Sequence, residues 1–390
     1  MNDRWSRYLL ALGGEPLPAA LIDLDALEAN AARLYAPIAR AGKRARIATK
    51  SLRCPALAAK LAELGGATAI GYLTYTAAET EFYARAGVRD LVLAYPTVQP
   101  QDAGAIARAN AIATAAIVVD DVNQLDVLAA AARDAGTRIP IIIDVDMSWR
   151  PFGVHVGVRR SPLREPDEVI ALAMRIAEPL HFHGILGYEA QLAGLSDRNA
   201  VIRALKRGSE PAVVASRARI VDALAAAGLP PTIVNGGGTG SVDWSSTDPA
   251  LTEVAVGSGF LCSHLFDDYR GLELSPAIAF ALQVVRRPAP NIATCLGGGW
   301  IASGQAGADR LPIPAWPLGC ALLRGEGAGE VQTPVVVPPD RDIALGDPIF
   351  FRPAKSGELA EHVAEYLFVR GDRIVDRAPT YRGLGRVFLG

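Results

Sequence analysis

The chain has 390 residues, of which 50% are hydrophobic and 21% are charged, and its formal net charge is −2. This length is too great for one small core and allows a barrel-sized domain together with a smaller one. Because no basic excess exists to meet phosphates, the charge argues against nucleic acid and membrane surfaces, and a small polar molecule is the expected partner.

The amino-terminal stretch MNDRWSRYLLALGGEPLP lacks the longer apolar core and the small-residue cleavage site of a signal peptide. No apolar run reaches the roughly 18 residues that a membrane-spanning helix needs. The four cysteines are widely spaced and form no CxxC pair, which is typical of a reducing compartment. We therefore expect a cytoplasmic protein without a disulfide framework or a structural zinc site.

The segment AALIDLDALEANAARLYAPIARAGK predicts one strand followed by one helix. From about Ala45 to Gly259, short apolar or β-branched runs alternate with Ala- and Leu-rich stretches of helical periodicity, which indicates repeated βα units. Eight repeats in about 215 residues favour a (β/α)8 barrel over an open doubly wound sheet, and no GxGxxG follows the first strand. The strand candidates are residues 45–49, 67–73, 90–95, 113–119, 139–145, 180–188, 232–236 and 252–258.

After FDDY the pattern changes to short strands separated by Pro and Gly, as in TPVVVPP and DPIFFRP. Such a pattern predicts a second, all-β domain. We place a lead-in at residues 1–30, the barrel at 31–270 and the β domain at 271–390. The strand of the lead-in is a candidate member of the β domain.

Lysine is scarce in this chain, because the 39 basic residues comprise 34 Arg and only Lys43, Lys50, Lys60, Lys206 and Lys355. Lys50 ends the first barrel strand, in RARIATKSLRCP, and barrel active sites lie at the carboxyl ends of the strands. Lys43 falls in a helix-to-strand loop, Lys60 in mid-helix and Lys206 in the charged surface stretch RALKRG. Lys50 is therefore the first functional candidate, and Lys355 is the second.

A lysine at a barrel mouth can form an imine, bind a phosphate, or pair with a structural carboxylate. Gly-rich loops follow the seventh and eighth strands, VNGGGTGS at 234–241 and VGSG at 256–259. Such loops commonly bind phosphate, since Gly lets backbone N–H groups approach the anion closely. An imine-forming lysine opposite a phosphate site indicates pyridoxal 5′-phosphate or, alternatively, a sugar-phosphate Schiff-base aldolase.

Three stretches resemble one known family: PAALIDLDALEANAARL, ARIATKSLRCPAL and NGGGTGS. They are similar to the fold-type III pyridoxal-phosphate enzymes, and most of all to the D-threonine aldolase and D-serine dehydratase group, whose barrel is that of alanine racemase. The resemblance covers nearly the whole chain. It implies an α/β fold with an alanine racemase-like (β/α)8 barrel, a C-terminal β-rich domain and pyridoxal 5′-phosphate as the cofactor.

The resemblance also implies roles for individual residues. Lys50 forms the internal aldimine and acts as an acid or base, and Tyr188 lies beside the pyridine ring. Arg150 corresponds to the arginine that faces the cofactor or the substrate, with Arg159 and His155 as rivals because the segment PFGVHVGVRRSP blurs the match. The expected cofactor-binding residues in the Gly-rich loops are Asn235, Gly237, Gly238, Thr239, Gly240, Ser258 and Gly259.

The tail departs from the family pattern. Aldolases and dehydratases of this group carry a metal-binding His-x-Cys or His-x-Asp in the β domain, whereas LGDPIFFRPAKSGELAEH has Lys355 and Gly357 at that place. We therefore predict no divalent metal here, with Glu358 and His362 as the alternative ligands. The family fold implies a head-to-tail homodimer with shared active sites. Tentative substrate contacts, some of them from the partner, are His155, Arg159, Gln191, Trp300, Ser303 and Glu358.

The resemblance implies a lyase acting on a D-configured 3-hydroxy amino acid, by retro-aldol cleavage or by dehydration and deamination. Without a metal, a protein group must activate the 3-hydroxyl, and Lys355, Glu358 and His155 are the candidates. An amino-acid racemase and a non-catalytic pyridoxal-phosphate carrier are the alternatives. Because such carriers consist of the barrel alone, the β domain favours an enzyme.

Overall fold

The computed structural model describes residues 4–389. The strands are β1 (Ala19–Asp23), β2 (Arg44–Ala48), β3 (Ala69–Thr74), β4 (Asp90–Leu93), β5 (Thr114–Val119), β6 (Ile139–Asp144), β7 (Leu180–Gly187), β8 (Ile233–Gly236), β9 (Glu253–Val256), β10 (Ile278–Ala289), β11 (Ile292–Leu296), β12 (Ile313–Trp316), β13 (Ala321–Leu322), β14 (Gln332–Val336), β15 (Pro348–Arg352), β16 (Glu365–Arg370) and β17 (Arg373–Pro379). The helices are α1 (Arg4–Ala11), α2 (Leu24–Arg40), α3 (Pro55–Gly65), α4 (Ala77–Arg85), α5 (Pro100–Asn110), α6 (Val122–Ala135), α7 (Pro166–Ala173), α8 (Ala190–Ala193), α9 (Ala200–Ala226), α10 (Val242–Thr247), α11 (Ser258–Leu261) and α12 (Ser356–Leu359).

Strands β2 to β9 form a closed barrel in which each strand pairs in parallel with the next and β9 pairs with β2. The predicted (β/α)8 barrel is confirmed, and each of its strands overlaps one of the eight sequence runs. Strand β6 shows why such runs predict strands. All six residues of IPIIID are buried, as expected for a parallel strand covered on both faces.

Helix α6 shows how local sequence sets the helix ends. Asp121 caps its first turn and forms a reciprocal capping box with Gln124, which satisfies backbone N–H groups that have no partner within the helix. Gly136 follows the last turn in the left-handed conformation, with φ of 62°. Glycine adopts this conformation at little cost, so Gly136 ends the helix.

The barrel interior contains a fully buried arginine, Arg46 of β2. Its Nε donates to Glu253 Oε2 at 2.7 Å and its Nη1 donates to Asp90 Oδ1 at 2.7 Å. Asn235 Nδ2 donates to the same Glu253 oxygen at 3.0 Å. Because Asn235 begins the Gly-rich loop after β8, this network joins the barrel interior to the predicted phosphate site.

We expect Arg46→Met to destabilise the fold by about 3–5 kcal/mol, because it leaves the Glu253 carboxylate buried and unpaired. Urea unfolding measures this difference. The matched control is Arg44→Met, at the exposed first residue of the same strand, which should change the free energy of unfolding by no more than about 0.5 kcal/mol. Equal effects of the two substitutions would contradict the structural role of the buried ion pair.

The second domain is a nine-stranded sheet in the order β13-β14-β11-β10-β1-β16-β17, with β15 pairing β10 and β12. The amino-terminal strand β1 lies between β10, to which it is antiparallel, and β16, to which it is parallel. The chain therefore starts in the β sheet, builds the barrel, and returns to the same sheet. The domain boundaries themselves stay a prediction.

Contacts between the C-terminal segment and the barrel hold the two parts together. Tyr381 Oη donates to Glu79 Oε1 at 2.5 Å and contacts Tyr83 Oη at 2.8 Å. Burial raises the pKa of Glu79 to about 7, although the hydrogen bonds from Tyr381 and from the backbone of Tyr75 oppose this. Glu79 lies on α4, beside the turn that carries Lys50, so the C-terminal segment also supports the barrel mouth.

Candidate active site

A cavity of about 840 Å³ opens at the carboxyl ends of the barrel strands. Its size suits a cofactor together with a small substrate. The barrel loops and the β domain both line it. The lining includes Lys50, Arg53, Tyr95, Arg160, Tyr188, Arg198, Asn235, Gly237, Gly238, Thr239, Gly257, Ser258, Tyr269, Ser303, Asp309, Arg310, Lys355, Ser356, Gly357 and Glu358.

Lys50 lies in a short 3-10 turn, Thr49–Ser51, directly after β2. Its Nζ donates to Tyr95 Oη at 3.0 Å, and Arg53 Nε donates to the Lys50 carbonyl at 3.1 Å. Arg53 has φ of +47°, a conformation unfavourable for a residue with a side chain. The backbone after Lys50 is thus bent so that the ammonium group faces the cavity.

Tyr95 lies in the loop that follows β4 and lines the cavity. The sequence alone did not indicate it as a site residue. Burial raises its pKa, but the charge and the hydrogen bond of Lys50, together with the charge of Arg160, outweigh burial and leave the pKa lowered. The Arg160 guanidinium lies 5.8 Å from the Tyr95 ring centroid and 5.0 Å from that of Tyr188. A cation, two aromatic rings and an amine therefore share one end of the cavity.

The Gly-rich loops after β8 and β9 form the opposite wall. The backbone hydrogen bonds among residues 4–389 include none donated by the N–H groups of Gly237, Gly238 or Gly257. Gly237 has φ of +79°, and a Cβ on it would lie 2.8 Å from Val254 Cγ1, so only glycine fits both the conformation and the space. Thr239 Oγ1 accepts a hydrogen bond from Gly259 N at 3.0 Å, which joins the two loops.

Segment 355–358 of the β domain packs directly on the Lys50 turn. Ser356 Oγ donates to the Ser51 carbonyl at 2.9 Å, and a Cβ on Gly357 would lie 2.1 Å from the Lys50 carbonyl oxygen. Any side chain at position 357 would therefore displace Lys50. Gly357, at the place where the resemblance implied a metal ligand, allows the two segments to come into contact.

Lys355 faces the cavity from this segment. Its Nζ donates to the Ser303 carbonyl at 2.7 Å and to Ser303 Oγ at 3.1 Å, while the Glu358 carboxylate accepts from Ser303 N at 2.8 Å and 3.0 Å. Burial lowers the pKa of Lys355; the charges of Arg310 and Lys50 add to this, and Glu358 opposes it. An amine with a lowered pKa is better suited to accept a proton.

Segment 355–358 lines the cavity of its own chain. Lys355, Ser356 and Glu358 lie there together with Lys50, and Ser303 lines the same cavity. The expected contribution of a partner protomer to the active site stays a prediction.

Seven of the predicted site residues in the described range 4–389 lie outside the cavity lining: Arg150, His155, Arg159, Gln191, Gly240, Gly259 and Trp300. Arg150 donates to Asp146 Oδ2 at 2.7 Å, and Arg159 is exposed. Gln191 is buried and donates to the Met147 carbonyl at 2.7 Å. His155 contacts only the carbonyl of Val158, at 3.3 Å, among the hydrogen bonds of its side chain within residues 4–389. The lining arginine from this part of the chain is Arg160.

Other predicted residues support the site from outside. Trp300 stacks on His362, with ring centroids 5.4 Å apart and planes 7° apart, and does not line the cavity. Gly240 and Gly259 lie behind the loops, where a Cβ would approach Ala193 O at 2.3 Å and Thr239 Cγ2 at 2.2 Å, respectively. They allow close packing of the loops and do not themselves line the cavity.

Lys206, expected on the solvated surface, is 9% exposed and pairs with Asp197 at 2.8 Å.

Among residues 4–389, no group of three or more His, Cys, Asp and Glu side chains is arranged to hold a metal ion. Within the same described range, every helix is too short or too polar to cross a membrane.

Asp144, the last residue of β6, carries a buried carboxyl group. Burial raises its pKa to about 7, the Asp120 charge adds to this, and Arg160 opposes it. The folded chain therefore keeps a proton that the unfolded chain has already lost between about pH 4 and pH 7. The stability of the protein falls as the pH rises through this window.

We expect Asp144→Asn to remove this dependence, because the amide stays neutral. Relative to the native protein, the variant should gain about 2 kcal/mol of unfolding free energy between pH 5 and pH 8, measured by chemical denaturation at each pH. The exposed residue Asp126 provides the control substitution Asp126→Asn. A difference that stays constant across this pH range would contradict the raised pKa.

The sequence matches the family model described as alanine racemase, N-terminal domain, over residues 22–262. It is 31% identical over 245 residues to a 3-hydroxy-D-aspartate aldolase of Paracoccus denitrificans (strain Pd 1222), an alignment that covers 62% of this chain and 59% of the relative. It is 28% identical over 244 residues to a D-threo-3-hydroxyaspartate dehydratase of Delftia sp. (strain HT23), with coverages of 62% and 60%. The alignments thus span about three-fifths of these relatives.

The fold is similar to the crystal structure of D-threonine aldolase from Filomicrobium marinum. The TM-score is 0.83, the sequence identity is 23%, and the alignment covers 95% of this chain and 96% of the other. At this identity the similarity establishes the fold of both domains.

Proposed function

Because the chain belongs to the family of the alanine racemase N-terminal domain, we propose that it is a pyridoxal 5′-phosphate-dependent lyase acting on a D-configured 3-hydroxy amino acid. One observation carries the proposal: Lys50 and Lys355 face a single cavity whose other wall consists of Gly-rich loops. The family is pyridoxal-phosphate-dependent, and the two curated relatives described above are named as a 3-hydroxy-D-aspartate aldolase and a D-threo-3-hydroxyaspartate dehydratase.

The residues of the cavity fit this cofactor. The N–H groups of Gly237, Gly238 and Gly257, which donate no backbone hydrogen bond within residues 4–389, suit the phosphate. Lys50 Nζ would hold the cofactor aldehyde carbon, and the Tyr188 ring would flank the pyridine ring. Arg160, rather than Arg150, has the position from which a guanidinium can face the cofactor or the substrate. When bound, the cofactor withdraws electrons from Cα of the substrate, so that a bond to this carbon can break.

Lys50 and Tyr95 are placed to move a proton at Cα. With cofactor and substrate bound, Lys50 Nζ would be free to accept or return a proton at Cα, and Tyr95 Oη, 3.0 Å from Lys50 Nζ in this structure, would exchange it. The lowered pKa of Tyr95, in which Lys50 and Arg160 outweigh burial, makes the phenol a better proton donor.

Lys355 is placed to act on the 3-hydroxyl. We assign it the role of the base, without a divalent metal, because its lowered pKa favours the neutral amine and because Lys355 and Gly357 supply no metal ligand. When Lys355 accepts the hydroxyl proton, the Cα–Cβ bond can break: Cβ leaves as the aldehyde, the electron pair stays with Cα, and a proton returned to Cα by Lys50 gives glycine. If Lys50 instead removes the Cα proton and the hydroxyl leaves with a proton as water, the resulting enamine hydrolyses to a keto acid and ammonia.

A substrate panel tests the proposal. The protein saturated with cofactor is incubated with D-threonine, 3-hydroxy-D-aspartate and D-serine, with the L-isomers as controls. Aldehyde with glycine identifies the aldolase, keto acid with ammonia the dehydratase, and the opposite enantiomer the racemase. Bound cofactor without any turnover would overturn the proposal in favour of a carrier.

The assembly is also part of the proposal. We propose a cytoplasmic homodimer with a small-molecule amino acid as its only ligand besides the cofactor. The formal net charge of −2 supports the small-molecule ligand, since the chain has no overall basic excess to meet the phosphates of a nucleic acid.

A further inference from the structure

The β-domain wall of the cavity contains an arginine that the mechanism above does not use. Arg310 ends a short 3-10 turn, Ala308–Arg310, that precedes β12. It lines the cavity together with Ser303 and Lys355 of the same domain and Tyr269 of the connection from the barrel.

The guanidinium of Arg310 has no hydrogen-bond acceptor within residues 4–389. Its Nε is inaccessible to solvent and unpaired, and its nearest carboxylate, Asp309 Oδ2, is 3.8 Å from Nη2. Arg53, which lines the same cavity from the barrel, shows the contrast, because its Nη1 donates to Glu361 at 2.6 Å. A planar guanidinium with free donors matches a carboxylate, which it can bind through two hydrogen bonds.

The charges of the cavity lining leave room for a second anion. Within the described range 4–389, six cationic side chains and two carboxylates line it. The cations are Lys50, Arg53, Arg160, Arg198, Arg310 and Lys355, and the carboxylates are Asp309 and Glu358. The cofactor phosphate would lie at the Gly-rich loops, on the opposite wall, and the substrate α-carboxylate needs one cation. After the phosphate and the α-carboxylate have been bound, a further cation of the lining is available for another acidic group.

Arg310 is near Lys355, on the side of the cavity that belongs to the β domain. Its charge, after burial, contributes to the lowered pKa of Lys355. Gly304 makes room for the guanidinium: its φ is +119°, and a Cβ there would lie 3.3 Å from Arg310 Nε. If Lys355 acts on the 3-hydroxyl, the group attached to the same carbon extends toward Arg310.

We propose that Arg310 binds a carboxylate at the end of the substrate side chain, so that the cavity prefers a 3-hydroxy amino acid with a second carboxylate to one that ends in a methyl group. This inference rests on the proposed function. It makes Arg310 a specificity-determining residue and assigns the reaction on this chain to a dicarboxylic substrate.

The test compares 3-hydroxy-D-aspartate with D-threonine in Arg310→Met and Arg310→Lys. We expect Arg310→Met to lower kcat/KM for 3-hydroxy-D-aspartate about 100-fold, as for a charge left without its buried partner. For D-threonine it should stay within about threefold of the native value. Arg310→Lys keeps the positive charge but loses the planar guanidinium. Its kcat/KM for 3-hydroxy-D-aspartate should therefore lie between the values of the native protein and of Arg310→Met. The control is Arg324→Met, an exposed β-domain arginine outside the cavity lining.

Equal losses for both substrates would place the α-carboxylate at Arg310 and overturn the inference, as would no loss for either. Melting curves and cofactor absorbance, recorded on every variant, identify a protein that fails to fold or to bind cofactor.

If the native protein converts neither substrate, the proposed function fails first. Titration of D-aspartate against D-alanine, followed by the cofactor spectrum, then still tests Arg310: loss of a D-aspartate preference in Arg310→Met supports it, and an unchanged preference rejects it.

Discussion

Lys50→Ala abolishes covalent retention of the cofactor and lowers turnover of every accepted substrate by more than about 10⁴-fold. The expected loss is this large because one residue holds the cofactor and also moves a proton, and general acid–base catalysis alone contributes about 10² to 10⁴. No lysine other than Lys355 lines the cavity beside it, and Lys355 lies on the β domain. The measurement is the visible absorbance of the purified protein before and after borohydride, followed by peptide mapping.

The matched control is Lys60→Ala, on helix α3 and outside the cavity lining. It should keep both the absorbance and the activity. A borohydride label on any lysine except Lys50 contradicts the assignment. An absence of visible absorbance in the native protein, even after incubation with the cofactor, contradicts the proposed function as a whole.

Lys355→Met lowers kcat by about 10² to 10⁴ while the cofactor absorbance is retained. Its ammonium group is the one that burial and two neighbouring cations drive toward the neutral form. Because a base works deprotonated, native activity should rise with pH until Lys355 has lost its proton. The lowered pKa moves this rise toward lower pH than an ordinary lysine would show. The pH profile of kcat for the native protein and the variant measures this, and the variant should lack the rise.

Lys355→Arg separates a base from a fixed positive charge, since an arginine does not lose its proton in proteins. If Lys355 is a base, the arginine variant is as inactive as Lys355→Met. High activity in Lys355→Arg would show that only the charge matters. Activity lost on treatment with a chelator and restored by a divalent metal would contradict the assignment of this role to a side chain of the protein.

The barrel was predictable because its signals are local. Each parallel strand is buried on both faces and therefore appears as a short apolar run, and each helix carries its own start and stop residues, such as Asp121 and Gly136 of α6. The position of Lys50 at the end of the first such run follows from the same pattern. So does the placement of the Gly-rich loops at the ends of the seventh and eighth strands.

The partners of Lys50 were not predictable in this way. Tyr95 was counted as the last residue of a strand, and the lining arginine is Arg160 instead of Arg150 or its rival Arg159. A loop without periodicity does not show which of its side chains turns inward. Trp300 and Gln191 looked suited to bind substrate, yet both are committed to packing or to hydrogen bonds behind the cavity.

The sequence alone determined the barrel, the lysine and the glycine loops, since apolar periodicity and glycine placement act over a few residues. Only the tertiary structure decided that Lys355 and Arg310 face the same cavity as Lys50. Some three hundred residues separate Lys50 from Lys355. The close contact of Gly357 with the Lys50 carbonyl, which only a residue without a side chain permits, brings them together.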